Sequence, residues 1–185
     1  MSLVSTKLIT AEEFAAMEEP ADGSRQELVR GEIVSMPQPQ GLHGQVQLQI
    51  GWLLKNVVTV QKLGWVVTES GVITERDPDT VRGPDVSFFR IDRHPNRPRG
   101  YFEIPPDIAV EVLSPDDRRR KVLEKIQEYL DHGVRIIWLV DPEPEAQTVE
   151  IYRPGQSTLL LNETDTITGG DVLPEFSCKV IEFFQ

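Results

Sequence analysis

Two acidic residues stand where an acidic side chain is costly. Asp85 opens the strand-like apolar run 86–89, and Glu111 lies inside the otherwise largely apolar run 107–113. A carboxylate in a strand that is buried on both faces must be protonated, paired with a positive charge or bound to a cation. Two such carboxylates on neighbouring strands are candidate ligands for a divalent metal that could act on a phosphodiester.

Both carboxylates also have a structural explanation. Asp85 follows Pro84 at a strand start, so it is explained equally well as a turn residue at a strand edge. For Glu111 the alternative is a buried ion pair with an arginine, which the surrounding apolar pattern favours less than a metal ligand.

A lysine on the helix that should follow the second strand is the candidate cation. Val122, Ile126 and Tyr129 mark the buried stripe of this helix, and Lys125 lies at the margin of that stripe. A lysine there can point along the sheet toward the strand ends. Taken alone, a lysine with its ammonium in water is the more frequent case. Lys121, one turn earlier and further round the helix, is the second choice.

Two more residues are weaker candidates for the same site. Glu27 lies in a predicted hairpin, where exposed glutamates are common, and His43 lies on the core side of the start of a long helix. The structural alternative for His43 is a histidine that caps the helix start. Sequence alone does not show that Glu27 and His43 are close to each other.

The chemistry of this set is coherent. Carboxylate oxygens suit Mg²⁺ or Mn²⁺, whereas zinc is disfavoured because the chain has a single cysteine, Cys178. The metal would polarise the scissile phosphate and activate a water. The lysine would stabilise charge that develops at phosphorus or orient the water, and His43 could instead transfer a proton.

Hydrophobic periodicity predicts the elements that hold these residues. We expect a mixed α/β fold of the α+β type, as one domain over residues 1–185, with a central mixed sheet flanked by helices. An N-terminal helix and a hairpin precede this core, and the strand–helix–strand unit around Glu111 should be a right-handed parallel crossover. The predicted segments are a helix from Thr10 to Pro20, a hairpin at 26–34, a helix at 42–62 that stops at Gly64, strands at 65–68, 72–74 and 85–89, a strand at 107–113, a helix at 118–132 that stops at Gly133, a strand at 135–140, a hairpin from 149–152 and 158–161, and a packed tail at 171–185.

Composition limits the partners. The chain has 19 basic and 30 acidic residues among 185, a net charge of −11, which argues against strong non-specific binding of nucleic acid by a monomer. A basic cluster at 118–121 could still serve a phosphate backbone. No segment approaches the roughly 18 apolar residues of a membrane span, and a long apolar leader is absent. We therefore expect a cytoplasmic protein without a membrane partner.

Five segments, taken in order, resemble the PD-(D/E)XK nuclease superfamily, and more specifically the Uma family of putative restriction endonucleases. They are ELVRGEI at 27–33, RGPDV at 82–86, VEVLSP at 110–115, KIQEYLDHGV at 125–134 and WLVDP at 138–142. The resemblance implies a restriction-endonuclease-like core, Mg²⁺ (or Mn²⁺) as cofactor, DNA as substrate and a homodimer. It also implies that Glu27 and His43 belong to the site.

One departure concerns the lysine. The superfamily pattern places lysine two residues after the glutamate, where this chain has Leu113, so the resemblance implies that Lys125 has taken over the role. The leading hypothesis is a metal-dependent DNA endonuclease with Asp85 and Glu111 as metal ligands. The alternatives are a catalytically silent nuclease-fold binding module and a phosphodiesterase that acts on a small nucleotide.

Overall fold

A computed structural model describes residues 7–185. No helix in this range is both long enough and apolar enough to cross a membrane. The elements are α1 (Ala11–Ala15), β1 (Arg25–Val29), β2 (Glu32–Met36), α2 (Gly41–Gln61), β3 (Gly64–Thr68), β4 (Val72–Glu75), β5 (Thr80–Arg82), β6 (Val86–Arg90), β7 (Ile108–Val112), α3 (Arg119–His132), β8 (Ile136–Asp141), β9 (Thr148–Tyr152), β10 (Leu159–Leu161), β11 (Thr166–Gly169), β12 (Leu173–Lys179) and a final 3-10 helix (Val180–Phe184).

The central sheet has six strands in the order β10-β9-β8-β7-β6-β3. Its β7–β8 pair is parallel and joined through α3, while the other neighbours are antiparallel. A second sheet, β2-β1-β5-β4, holds the N-terminal hairpin, and β11 pairs with β12. The predicted mixed α+β fold with a central mixed sheet is confirmed.

Helices cover both faces of the central sheet. On one face α2 packs Ile50 and Leu54 against Phe88 and Trp138, in a core that also takes in the C-terminal segment. On the other face α3 packs Ile126 and Tyr129 against Ala109 and Leu139. Because side chains alternate along β7, Glu111 shares the α3 face with Ala109.

Two helix ends differ from the prediction. Thr10 forms the expected capping box with Glu13, but α1 ends at Ala15, well before Pro20. The long helix α2 ends at Gln61, and the residue that caps it is Lys62, in the left-handed conformation with φ of 57°, rather than the predicted Gly64. Gly64 has another reason to be glycine, because a Cβ there would lie 1.9 Å from the carbonyl oxygen of Phe89.

The prediction also missed three strands, β5, β11 and β12. β5 has only three residues and follows directly on a turn, so it offers too few positions for an alternating pattern. It nevertheless joins β1 to β4 in the second sheet and carries Arg82 toward the centre of the molecule.

Candidate active site

The antiparallel pairing of β6 and β7 sets the site. Val86 pairs with Val110, which brings Asp85 level with Glu111 at one end of the strand pair. Glu111 lies in the otherwise apolar strand β7, and its carboxylate faces α3. The two residues come from segments with the strongest apolar pattern in the chain, so their positions are fixed by the core.

The Asp85 carboxylate is buried and held from three sides. Its Oδ2 accepts a hydrogen bond from the backbone N–H of Val112 at 2.8 Å and lies 3.3 Å from Nε2 of His43. Its Oδ1 lies 3.4 Å from the guanidinium of Arg25. Burial by itself raises the pKa of Asp85, but the hydrogen bond and charge of His43 outweigh it and lower the pKa.

Glu111 shares its two oxygens between a tyrosine and a lysine. Tyr129 donates its hydroxyl hydrogen to Oε1 at 2.8 Å, and the ammonium of Lys125 lies 3.0 Å from Oε2. Burial raises the pKa of Glu111 to about 7, with the charges of Asp85 and Glu27 adding to the effect and that of Lys125 opposing it. The main obstacle to ionisation of Glu111 is thus its burial, to which the neighbouring carboxylates add.

Lys125 also bridges to the first hairpin. Its ammonium lies 3.0 Å from Oε1 of Glu27, as close as it is to Glu111, and its side chain is only 17% exposed. Burial by itself lowers the pKa of Lys125, but the two carboxylates outweigh it and raise the pKa. The alternative of an ammonium in water is wrong. Lys121, by contrast, is exposed on α3.

Glu27 is held by a second set of donors. Arg82 lies 2.8 Å from its Oε2, and the backbone N–H of Gly83 donates to its Oε1 at 3.2 Å. Arg82 in turn makes a two-pronged contact with Glu128 of α3. Burial by itself raises the pKa of Glu27, but Lys125 and Arg82 outweigh it and lower the pKa to about 2. Glu27 is thus a permanent anion.

His43 has one nitrogen free. With Nε2 facing Asp85, the buried Nδ1 finds no hydrogen-bond partner among residues 7–185. Burial by itself lowers the pKa of His43, but the hydrogen bond and charge of Asp85, together with the charge of Glu111, outweigh it and raise the pKa. The imidazole therefore supports Asp85 and retains an unused donor or acceptor.

All five residues predicted from the sequence lie in this one cluster. Four more were not predicted to have a role in it, although Tyr129 had been noted as part of a buried stripe: Arg25, Arg82, Glu128 and Tyr129. The arginines and Glu128 are residue types that usually lie on surfaces, and their sequence positions carry no sign of burial. The buried stripe of α3 marked Tyr129 as a core residue without indicating its hydroxyl contact.

The donor chemistry suits a divalent cation, although a complete ligand set is not assembled. Within residues 7–185 no three His, Cys, Asp or Glu side chains form a group able to hold a metal ion. The ammonium of Lys125 lies between Glu27 and Glu111. Asp85 and Glu111 nevertheless offer hard oxygen donors. Burial is the main cause of the raised pKa of Glu111, and a divalent cation beside it would favour the ionised form.

Comparison with known proteins places the chain in a family. The family model Uma2, described as a putative restriction endonuclease, matches residues 11–181. The chain belongs to the Uma2 family. A crystal structure of a putative nuclease of DUF820 from Anabaena variabilis ATCC 29413 superposes with a TM-score of 0.79 at 31% identity, over 95% of this chain and 97% of that one. No curated protein matched. The Uma2 match contains the whole cluster, from Arg25 to Tyr129.

Proposed function

We propose that this Uma2 protein is a metal-dependent endonuclease that hydrolyses DNA phosphodiester bonds. The observation that carries the proposal is the cluster itself: Asp85 and Glu111 lie level on paired strands, and Lys125 contacts Glu111 at 3.0 Å. Two carboxylates can hold a metal ion that activates a water, and a nearby cation can stabilise charge that develops on the phosphoryl group. The family and the similar nuclease structure support the same class of reaction.

In this proposal Asp85 and Glu111 hold Mg²⁺ or Mn²⁺. When bound, such an ion polarises the scissile phosphate and lowers the pKa of a water bound to it. The hydroxyl of Tyr129 fixes one oxygen of Glu111, and His43 with the N–H of Val112 fixes one oxygen of Asp85. Both carboxylates are therefore oriented before any ligand arrives, which reduces the entropic cost of binding.

Lys125 supplies a fixed positive charge. Because two buried carboxylates contact its ammonium, it stays protonated at neutral pH and acts electrostatically rather than as a general base. Its role is to stabilise negative charge that develops on the phosphoryl oxygens. Glu27 holds that ammonium in place, and Arg82 holds Glu27. Glu27 and Arg82 are thus positioning residues.

The test is plasmid nicking. Supercoiled plasmid is incubated with the protein and Mg²⁺ or Mn²⁺, beside the variants Asp85→Asn and Glu111→Gln and the control Asp131→Asn, which changes an exposed carboxylate of α3. We expect nicking by the wild type and the control, loss in both site variants and loss in EDTA.

Equal nicking by all four proteins would contradict the proposal, since it would indicate a contaminant. No nicking together with turnover of bis-p-nitrophenyl phosphate would favour a small-nucleotide phosphodiesterase. No turnover of either substrate would favour a silent binding module. We further propose a homodimer, as the family resemblance implies, and light scattering on a sizing column measures it directly.

A further inference from the structure

A cleft of about 800 Å³ adjoins the candidate active site. Its lining includes Glu27, and also Arg25 and Gln47, which both contact Asp85. The cleft and the site are therefore continuous. Its volume falls within the range of sites that hold a small organic group.

One wall of the cleft is aromatic and thioether-rich. Phe14 and Tyr101 lie with ring centroids 6.2 Å apart and planes inclined by 31°, and Met17 and Met36 line the same cleft. The absence of a side chain at Gly71 lets the Tyr101 ring lie against the backbone, because a Cβ there would be 2.3 Å from the ring. Fixed aromatic rings and adaptable thioethers suit the flat face of a nucleobase.

The rest of the cleft offers hydrogen-bond partners and one cation. Glu18 and Glu69 present carboxylate acceptors, which pair with the amino edges of bases but repel phosphates. Arg25 lies between Glu69 and Asp85, at 3.7 and 3.4 Å from their oxygens. A neutral base therefore suits the part of the cleft near Glu18. A phosphate at Arg25 would need the divalent cation proposed at Asp85 to offset the carboxylates of Asp85 and Glu69 that flank the guanidinium.

The placement of the carboxylates disfavours intact duplex DNA. Asp85 is 3% exposed and Glu27 is 4% exposed, and a rigid duplex cannot bring its backbone into such a recess. The net charge of −11 also disfavours duplex DNA, which carries two phosphates for every base pair. A flexible strand can insert a single base and carry its phosphate in behind it.

We propose that this cleft binds one unpaired nucleoside between its aromatic wall and its acidic side, with the adjoining phosphodiester at Arg25 and Asp85. The protein would then act on unpaired DNA, including the transiently unpaired segments of a negatively supercoiled plasmid, rather than on fully paired DNA. This inference deepens the proposed function and depends on it for the cutting step alone, because binding is measured separately.

The first experiment compares two labelled DNAs by fluorescence anisotropy, with Ca²⁺ in place of Mg²⁺. One is a 12-nucleotide strand, and the other is the same strand paired with its full complement in a blunt-ended duplex. We expect the strand to bind at least about tenfold more tightly, with a shallow dependence on salt, because stacking rather than phosphate neutralisation supplies the affinity. Equal affinity for both DNAs would overturn the proposal.

Variants then test the aromatic wall. Phe14→Leu and Tyr101→Leu keep apolar bulk but remove the ring, so each should weaken strand binding on the order of tenfold. Tyr101→Phe keeps the ring and should bind as the wild type does. Trp52→Leu changes an exposed aromatic residue of α2 outside the cleft and should have no effect. Unchanged binding by folded Phe14→Leu or Tyr101→Leu would refute the assignment.

Two further readouts separate the possibilities. Strand binding without any cleavage would uphold the cleft and overturn the endonuclease. Cleavage of a fully paired duplex that Tyr101→Leu leaves unchanged would uphold the endonuclease and overturn the cleft.

Discussion

Replacing Lys125 by methionine tests whether its ammonium holds the site together. Methionine keeps the length and apolar stem of the side chain but removes the charge. In the wild type this charge lies 3.0 Å from Glu27 and 3.0 Å from Glu111, inside a pocket where its side chain is 17% exposed. The variant therefore leaves two buried carboxylates with one fewer cation between them.

The expected penalty follows from the burial of this pair. Removing one partner of a buried ion pair costs about 3–5 kcal/mol, because the remaining charge stays desolvated. For a chain of this size, each kcal/mol lowers the melting temperature by about 2–4 °C, so Lys125→Met should lower it by on the order of 10 °C. Lys121→Met, on the exposed side of the same helix, should change it little.

The penalty should also depend on pH. The pKa of Glu111 is already raised to about 7 by burial and rises further without the ammonium. A carboxyl whose pKa is higher in the folded state binds protons preferentially there, so lowering the pH through that value stabilises the fold. The cost of Lys125→Met should thus be largest near pH 8 and smaller near pH 5.5.

Urea unfolding followed by tryptophan fluorescence at both pH values measures this penalty. A cost for Lys125→Met that equals that of Lys121→Met would show that the ammonium does not bridge the carboxylates. A large cost that is the same at both pH values would retain the contact but refute the raised pKa of Glu111.

Three further predictions concern neighbouring contacts. Tyr129→Phe removes the hydroxyl that donates to Glu111, so it should cost about 1.5–3 kcal/mol in urea unfolding. If Glu111 is a metal ligand, Mg²⁺ at about 100 times its dissociation constant should stabilise the wild type by about 2.7 kcal/mol and Glu111→Gln by much less, as thermal shift would show. Asp79, whose pKa is lowered chiefly by the backbone N–H of Ala11, contributes stability above its ordinary pKa and loses it in acid. Asp79→Asn should therefore destabilise at pH 7 and approach the wild type near pH 3, as chemical unfolding would measure.

The central sheet could be predicted from the sequence because its apolar runs are typical of buried strands. The runs around Phe88, Val110 and Trp138 are continuous and bounded by turn residues, and each became a central strand. The short strand β5 escaped because three residues carry no period. Gly64 was misassigned because a close backbone contact and a helix end both favour glycine, and only the tertiary structure distinguishes them.

The site was predictable to the extent that its residues broke a local pattern. Glu111 stood out because it interrupts an apolar strand, and Asp85 because it begins one. Arg82 and Glu128 contact each other across 46 positions in sequence, and each is an ordinary surface residue type in its own segment. They are buried because β5 and α3 contact each other in the tertiary structure, and the local sequence does not indicate this contact.

The position of the lysine shows why spacing is a weaker guide than geometry. Leu113 is two residues after Glu111, so it lies on the same side of the chain, and it packs in the cluster that β7 forms with α3. The helix that covers this face can therefore deliver a charge to the space that a lysine at the strand position would reach. Lys125 does so with a long stem that starts at the margin of the buried stripe of α3. The position of the positive charge therefore depends on where the ammonium of Lys125 lies, not on the spacing along the strand. Leu113, at the strand position, instead adds apolar contact between sheet and helix.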